Sequence, residues 1–326
     1  MSHYGVQICS GSELDANMNH SLPETLPCIS HETRSRWLLQ RIATLRENPD
    51  FGLAAAEYAQ GAVRIFEGRY MANKVMANVA RRVICMSILA LHFNAGAKHH
   101  GALISSLQQI TSAMGLCSKN TTAATIDFLE NVGLVTRIPD ESDRRNHLIL
   151  PTDQLIIGAS KIVAVTFAAA DKLFPTNHYL QLIEGADFMK KYFASSIHSL
   201  MNVGALMYSL RGTQLFSVSD GGRILLCKLM SIKGSQQSGD KQIISFPFDE
   251  IGHLYGFSRT HIRRLMKRAE ADGLVRLLED GGRKVRLLPL LDDVFGNMVA
   301  AGLARAEFDI HLANREYDLL PIPARL

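Results

Sequence analysis

The chain has 326 residues, 47% hydrophobic and 20% charged, with a net charge of +4 and a pI near 8.8. These ordinary globular proportions argue against wholesale disorder, and the length is enough for two domains with cores of their own. The mild basicity permits a nucleic-acid partner without arguing for one, because local clustering of cations decides that question.

Residues 1–32 carry Ser, Gly, Asn, Pro and His without periodicity and read as a mobile arm. Helical character begins near Glu32 and runs through Leu45. After the break at Pro49-Asp50, an Ala-rich helix runs from Leu53 into Phe66. Met76 to Phe93 reads as one buried helix, apolar nearly all round past Arg81-Arg82. His99-His100-Gly101 marks a loop, and Ile104 to Met114 puts Leu107, Ile110 and Met114 on one face. Asp153 to Ala170 and Tyr179 to Tyr208 read as long helices separated by Phe174-Pro175. Further on come the apolar helix Gly222 to Met230, a polar linker Gly234 to Asp240 and a β-rich run, Gln242 to Phe246. A helix from Leu290 to Leu312 closes the pattern. The expected division is a first module with flanking helices over 33–200 and a second with its C-terminal helix over 201–326. The fold class is mainly α with short β wings. Without βαβ alternation, doubly wound folds are excluded.

One pattern occurs twice, about 140 residues apart, a period the size of a domain. The first copy runs from Met114-Gly115-Leu116 through Ser118 to Gly133-Leu134-Val135, and the second from Tyr255-Gly256-Phe257 through Ser258 to Gly273-Leu274-Val275. Each joins a short apolar helix, a Gly turn, a Ser-capped helix and a Gly stop before a strand. A charged turn follows each: Pro139 to Arg145 in one, Glu279 to Lys284 in the other. Helix-turn-helix followed by a basic hairpin is winged-helix geometry, which reads duplex DNA.

In the second copy Ile262, Leu265, Met266 and Ala269 make the buried stripe. Behind the Ser258 cap, the opposite face carries Arg259, Thr260, Arg263, Arg264 and Lys267, with Arg268 at its edge. Arginine can bond a guanine edge bidentately while neighbouring cations neutralise phosphates. Charge runs usually belong to solvated helix faces, but here no acids supply the i, i+4 pairing that stabilises one. Arg283 and Lys284 at the hairpin turn can track the backbone or enter a minor groove. In the first copy Thr122, Thr125, Ile126 and Leu129 face inward, and the outward face has Lys119 as its one cation. Lys119, Asn120 and Thr121 are the candidate contacts at that helix N-terminus. Arg137, Arg144, Arg145 and His147 restore charge around the first wing.

From Leu107-Gln108-Gln109-Ile110 through Asp143-Arg144-Arg145-Asn146-His147, the stretch Ile104 to Asp153 resembles the MarR family of winged-helix transcription regulators. The resemblance implies that Asp143 braces the wing while Arg145 reaches DNA. It departs from the family at Ala124, where a basic residue is common, and the second copy lacks the Asp-x-Arg pattern. MarR proteins are about half this length and dimerise, so the chain reads as a fused, diverged pseudo-dimer.

The five cysteines (Cys9, Cys28, Cys85, Cys117 and Cys227) are scattered, which fits a reducing cytoplasm. Cys85 and Cys227 read as core residues; at Cys117 a structural thiol and a redox-sensitive one are both open. His92, His99, His100 and His147 match no metal-site spacing. No signal segment is visible, and the apolar run Leu155 to Ala170 is short for a bilayer, so no membrane partner is expected.

The functional expectation is a cytoplasmic transcription regulator that binds double-stranded DNA, as a monomeric pseudo-dimer or a homodimer, with an asymmetric operator. In the related family a small lipophilic or phenolic effector often binds, and the apolar interior permits one. No cofactor, metal or catalytic constellation is expected. A plasmid-type replication initiator with tandem winged helices, or a winged-helix protein-interaction module that does not bind DNA, stands as the alternative.

Overall fold

Helix α1 (His31–Glu47) begins where helical character is expected. The computed structural model describes residues 31–94, 101–140, 143, 145–210, 212–237, 239–316 and 319–320, so nearly all of the expected arm lies outside them. Helix α2 (Phe51–Phe66) turns a face of small residues inward: Ala54, Ala55, Ala59, Gly61 and Ala62 are buried with Phe51 and Tyr58. A face that flat lets another helix come close. A Cβ on Gly61 would sit 2.9 Å from a Val165 methyl.

The single helix expected from Met76 to Phe93 is broken. Helices α3 (Tyr70–Ala77) and α4 (Val79–Phe93) meet at 93°. The cause is Asn78, whose backbone is extended and whose Oδ1 accepts the amide of Arg81 at 3.1 Å, capping α4.

Then come β1 (Ala102–Leu103), α5 (Ile104–Ala113), α6 (Lys119–Asn131), β2 (Val135–Pro139) and β3 (His147–Pro151). The three strands form an antiparallel sheet in the order β1-β3-β2, with Val135 opposite Pro151 and Ala102 opposite Ile149. After α7 (Asp153–Leu173), the helix expected from Tyr179 is split by Gly185 into a 3-10 turn (Tyr179–Glu184) and α8 (Ala186–Ser209). Asp171 accepts the amides of Tyr179 and Leu180 at 2.6 and 3.0 Å, satisfying the start of that turn.

The short α9 (Gln214–Val218) leads into a second run with the same element order: α10 (Gly222–Ser235), β4 (Ile243–Ile244), α11 (Phe248–Tyr255), α12 (Arg259–Ala271), β5 (Val275–Glu279) and β6 (Lys284–Leu287). Its sheet repeats the strand order, β4-β6-β5. Helix α13 (Pro289–Asn314) ends the series.

The long helices pack reciprocally. Helix α2 lies on α7, which follows the first sheet, and on α10, which opens the second run. Helix α8 lies on α13, which follows the second sheet, and on α4, which opens the first, while α7 and α13 touch each other. The expected division at 200/201 therefore falls inside the continuous helix α8. Both large apolar clusters mix residues from the two runs: Ala306, Ile310 and Ala313 of α13 join the core built around Ile88, Phe167 and Tyr192. Charged clasps hold the outer layer, with Arg41 gripping Glu307 through two bonds (2.6 and 2.8 Å) and Lys233 on Asp292 at 2.5 Å. Helix α7 extends past the expected apolar run and is long and apolar enough, by length and composition alone, to cross a membrane. Here it packs against α2 and α13 with Val163, Phe167 and Ala169 buried.

Candidate nucleic-acid interface

Helix α12 starts from Ser258, whose hydroxyl accepts the amide of His261 at 3.1 Å. It stops where Gly273 takes φ +72°, a conformation that costs a Cβ-bearing residue. Ile262, Leu265, Met266 and Ala269 are buried at the expected spacing, so the remaining face must turn outward. Arg259, Thr260, Arg263, Arg264, Lys267 and Arg268 are all exposed. Among the described residues no acid lies within ion-pair distance of any of these cations. Their field is therefore available to an anionic partner.

The hairpin beside the helix is tighter than a free loop. Asp280–Gly282 forms one 3-10 turn, and the Gly282 carbonyl accepts the amide of Phe246 at 2.8 Å. A Cβ on Gly282 would lie 2.2 Å from Phe246 O and 2.4 Å from the Phe248 ring. That packing fixes the turn with Arg283 and Lys284 exposed next to it. The Arg259 guanidinium reaches Gly281, 3.7 Å from where a Cβ would stand there, so the head of α12 lies against the turn, which presents Arg283 and Lys284 beside exposed Glu279 and Asp280.

The first module has the same frame. Ser118 accepts the amide of Thr121 at 3.2 Å, and Thr122, Thr125, Ile126 and Leu129 are buried. Its stripe is held by hydroxyl contacts, with Thr111 Oγ1 2.8 Å from Thr122 Oγ1. Cys117, partly buried, places its sulfur 3.4 Å from Thr122. Lys119, Asn120 and Thr121 are exposed as expected, though the Thr121 hydroxyl also meets Ser118 Oγ at 2.9 Å. Arg137 does not add free charge to this surface, contrary to expectation. Reaching up from β2, it is held by Asp127 and by Glu130 (3.1 Å), both on α6. Helix α6 thus neutralises the nearest cation of the β2–β3 hairpin.

Between β2 and β3, Asp143 accepts the amide of Arg145 at 3.1 Å and the Asn146 side chain at 3.3 Å. Asp143 thus ties down the turn that carries Arg145 and Asn146. Arg145 and His147 are exposed; Arg144 lies outside the described residues, as do His99 and His100. Among the described residues no cluster of His, Cys, Asp or Glu is arranged to hold a metal ion. The sequence reading missed that the His261 ring on α12 donates to Asp220 O at 2.7 Å, tying the helix to the α9–α10 loop. It also missed the docking of α3 beside α11. No local signal announces a contact between segments so far apart in the chain.

Comparison with protein-family models, with curated proteins and with solved structures found no match.

Proposed function

We propose that this chain is a sequence-specific, double-stranded-DNA-binding transcription regulator, built as two winged helix-turn-helix modules on a pseudo-dimeric helical scaffold. The observation that carries the reading is the face of α12, where Arg259, Thr260, Arg263, Arg264 and Lys267 stand exposed without acids to pair them. A solvated helix of this length would ordinarily intersperse acids, whereas a major-groove reader needs free guanidinium groups on one face and an apolar stripe on the other. The two equal strand orders and the reciprocal helix packing support the pseudo-dimer part of the reading.

The halves have unequal roles. The second supplies base contacts through Arg263 and Arg264 and backbone contacts through Arg259, Lys267, Arg283 and Lys284. The first offers Lys119, Asn120, Thr121 and Arg145, with α6 partly neutralised by Asp127 and Glu130. That neutralisation favours a second reading for the first half alone, as a surface for a protein partner. A lipophilic or phenolic effector has limited support. The apolar cleft between α1, α7 and α13, lined by Phe167, Leu173, Phe174, Leu303 and Ile310, encloses only about 10 Å³, room for about one water and too small for such a ligand without the helices moving apart.

Binding of the purified protein to mixed-sequence duplex DNA, followed by fluorescence anisotropy over a salt series, tests the DNA reading. A log–log slope of several units is expected, each phosphate contact contributing about 0.9. Absence of salt-dependent binding would move the whole chain to the protein-interaction reading.

A further inference from the structure

We infer that the corner between α2 and α3, which belongs to the first half of the chain, is a DNA-phosphate contact for the reading head of the second half, with Arg69 and Lys74 as its cations. The inference rests on the DNA-binding reading and adds to it a contact outside both winged-helix motifs.

The corner is fastened to the helix-turn-helix at several points. Gly68 donates its amide to Leu254 O at 2.9 Å. Asn73, fully buried, uses its amide group to bridge Tyr255 O (3.0 Å) and Phe66 O (2.8 Å). The Tyr70 ring covers Gly256, the turn residue, so closely that a Cβ there would be 2.9 Å from Tyr70 Cδ1. At the other end of α3, Ala77 O accepts the Gly221 amide at 3.2 Å and the Asn78 side chain donates to Asp220 Oδ1 at 3.0 Å. Asp220 O in turn takes the His261 bond from the first turn of α12. Helix α3 therefore flanks the turn that delivers α12 to a groove.

What this corner leaves outward is cationic. Arg69, Tyr70, Met71 and Lys74 are exposed, and no acid among the described residues pairs with Arg69 or Lys74. The nearby acids are engaged, Glu67 by Lys228 at 3.2 Å and Asp220 by Asn78. The first helix of a helix-turn-helix crosses the DNA backbone. Here its N-terminal turn carries exposed Asp249 and Glu250, which repel phosphate. The end of α11 that can hold a strand is the one where Arg69 and Lys74 stand, with the Tyr70 hydroxyl as a further backbone donor.

The test is a salt titration on mixed-sequence duplex DNA with four proteins: wild type, Arg69→Ala/Lys74→Ala, Arg263→Ala/Arg264→Ala, and Lys161→Ala/Lys172→Ala as a control removing two exposed charges from α7. The inference predicts that the Arg69/Lys74 variant loses about two units of slope while the α7 control keeps the wild-type slope. It also predicts that the motif enriched from a random pool is unchanged in the Arg69/Lys74 variant. A wild-type slope in that variant, alongside a reduced slope for Arg263→Ala/Arg264→Ala, overturns the inference and leaves the DNA reading intact. A wild-type protein with no salt-dependent binding overturns both.

Discussion

Ser118 and Ser258 occupy the same place in the two motifs, and each accepts an amide from the first turn of the helix that follows. Replacing either by Ala is expected to cost about 1 kcal/mol in denaturant unfolding, since it leaves an early helix amide without its cap. Glycines separate along a similar line. Gly273 has nothing near its missing Cβ and needs Gly only for its positive φ, whereas Gly282 is pressed against Phe246 O and the Phe248 ring. Gly273→Ala should therefore cost about 1 kcal/mol, and Gly282→Ala clearly more, because a backbone oxygen cannot yield; equal losses would contradict the packing argument. Asp309 carries a different consequence. Burial pushes its carboxyl up to about 7 from 3.8, while Arg305 (3.1 Å) and Ser199 (2.9 Å) pull it back, and Oδ1 makes no hydrogen bond. A raised acid binds its proton more tightly in the fold than in the unfolded chain. Its contribution is thus whole below 3.8, is lost as pH rises towards 7 and stays lost above. Asp309→Asn should flatten the dependence of Tm on pH across that window and raise Tm above it, and melting curves on either side check this.

At the scale of elements, the acids of α6 decide how much that helix could contribute under the proposed DNA reading. Asp127 and Glu130 hold Arg137, so removing both as Asp127→Ala/Glu130→Ala frees one cation and deletes two anions. Affinity for mixed-sequence duplex DNA should rise several-fold, with a slope steeper by about one unit. An unchanged titration would mean that α6 faces away from DNA and would favour the protein-partner reading for that half. Much of this level was legible. The stripes on α6 and α12, their caps and the Gly stops follow from periodicity and from the few side chains that suit those sites. The breaks at Asn78 and Gly185 were not. An Asn inside an apolar run reads as a tolerated polar residue until its side chain is seen to cap the next helix, where it competes with the backbone. The ion pair of Arg137 was hidden for a related reason: it joins a strand to a helix, and spacing along one element says nothing about reach between two.

For the molecule as a whole, the reciprocal packing of α2 on α7 and α10, and of α8 on α13 and α4, means that neither half buries its apolar faces alone. Chemical unfolding of the full chain should be a single transition, and residues 31–200 and 201–326 expressed apart should lack native near-UV circular dichroism until mixed. The sequence announces long apolar helices after each wing, yet their pairing depends on contacts between distant segments that no local pattern encodes. If α12 reads sequence as proposed, its outward arginines must select the motif that is bound. Selection from a random duplex pool with wild-type protein beside Arg263→Ala/Arg264→Ala tests it most directly. Enrichment of one motif by the wild type, lost in the double variant while its fold and residual salt-dependent binding persist, is the predicted result. Enrichment of the same motif by both proteins would contradict it.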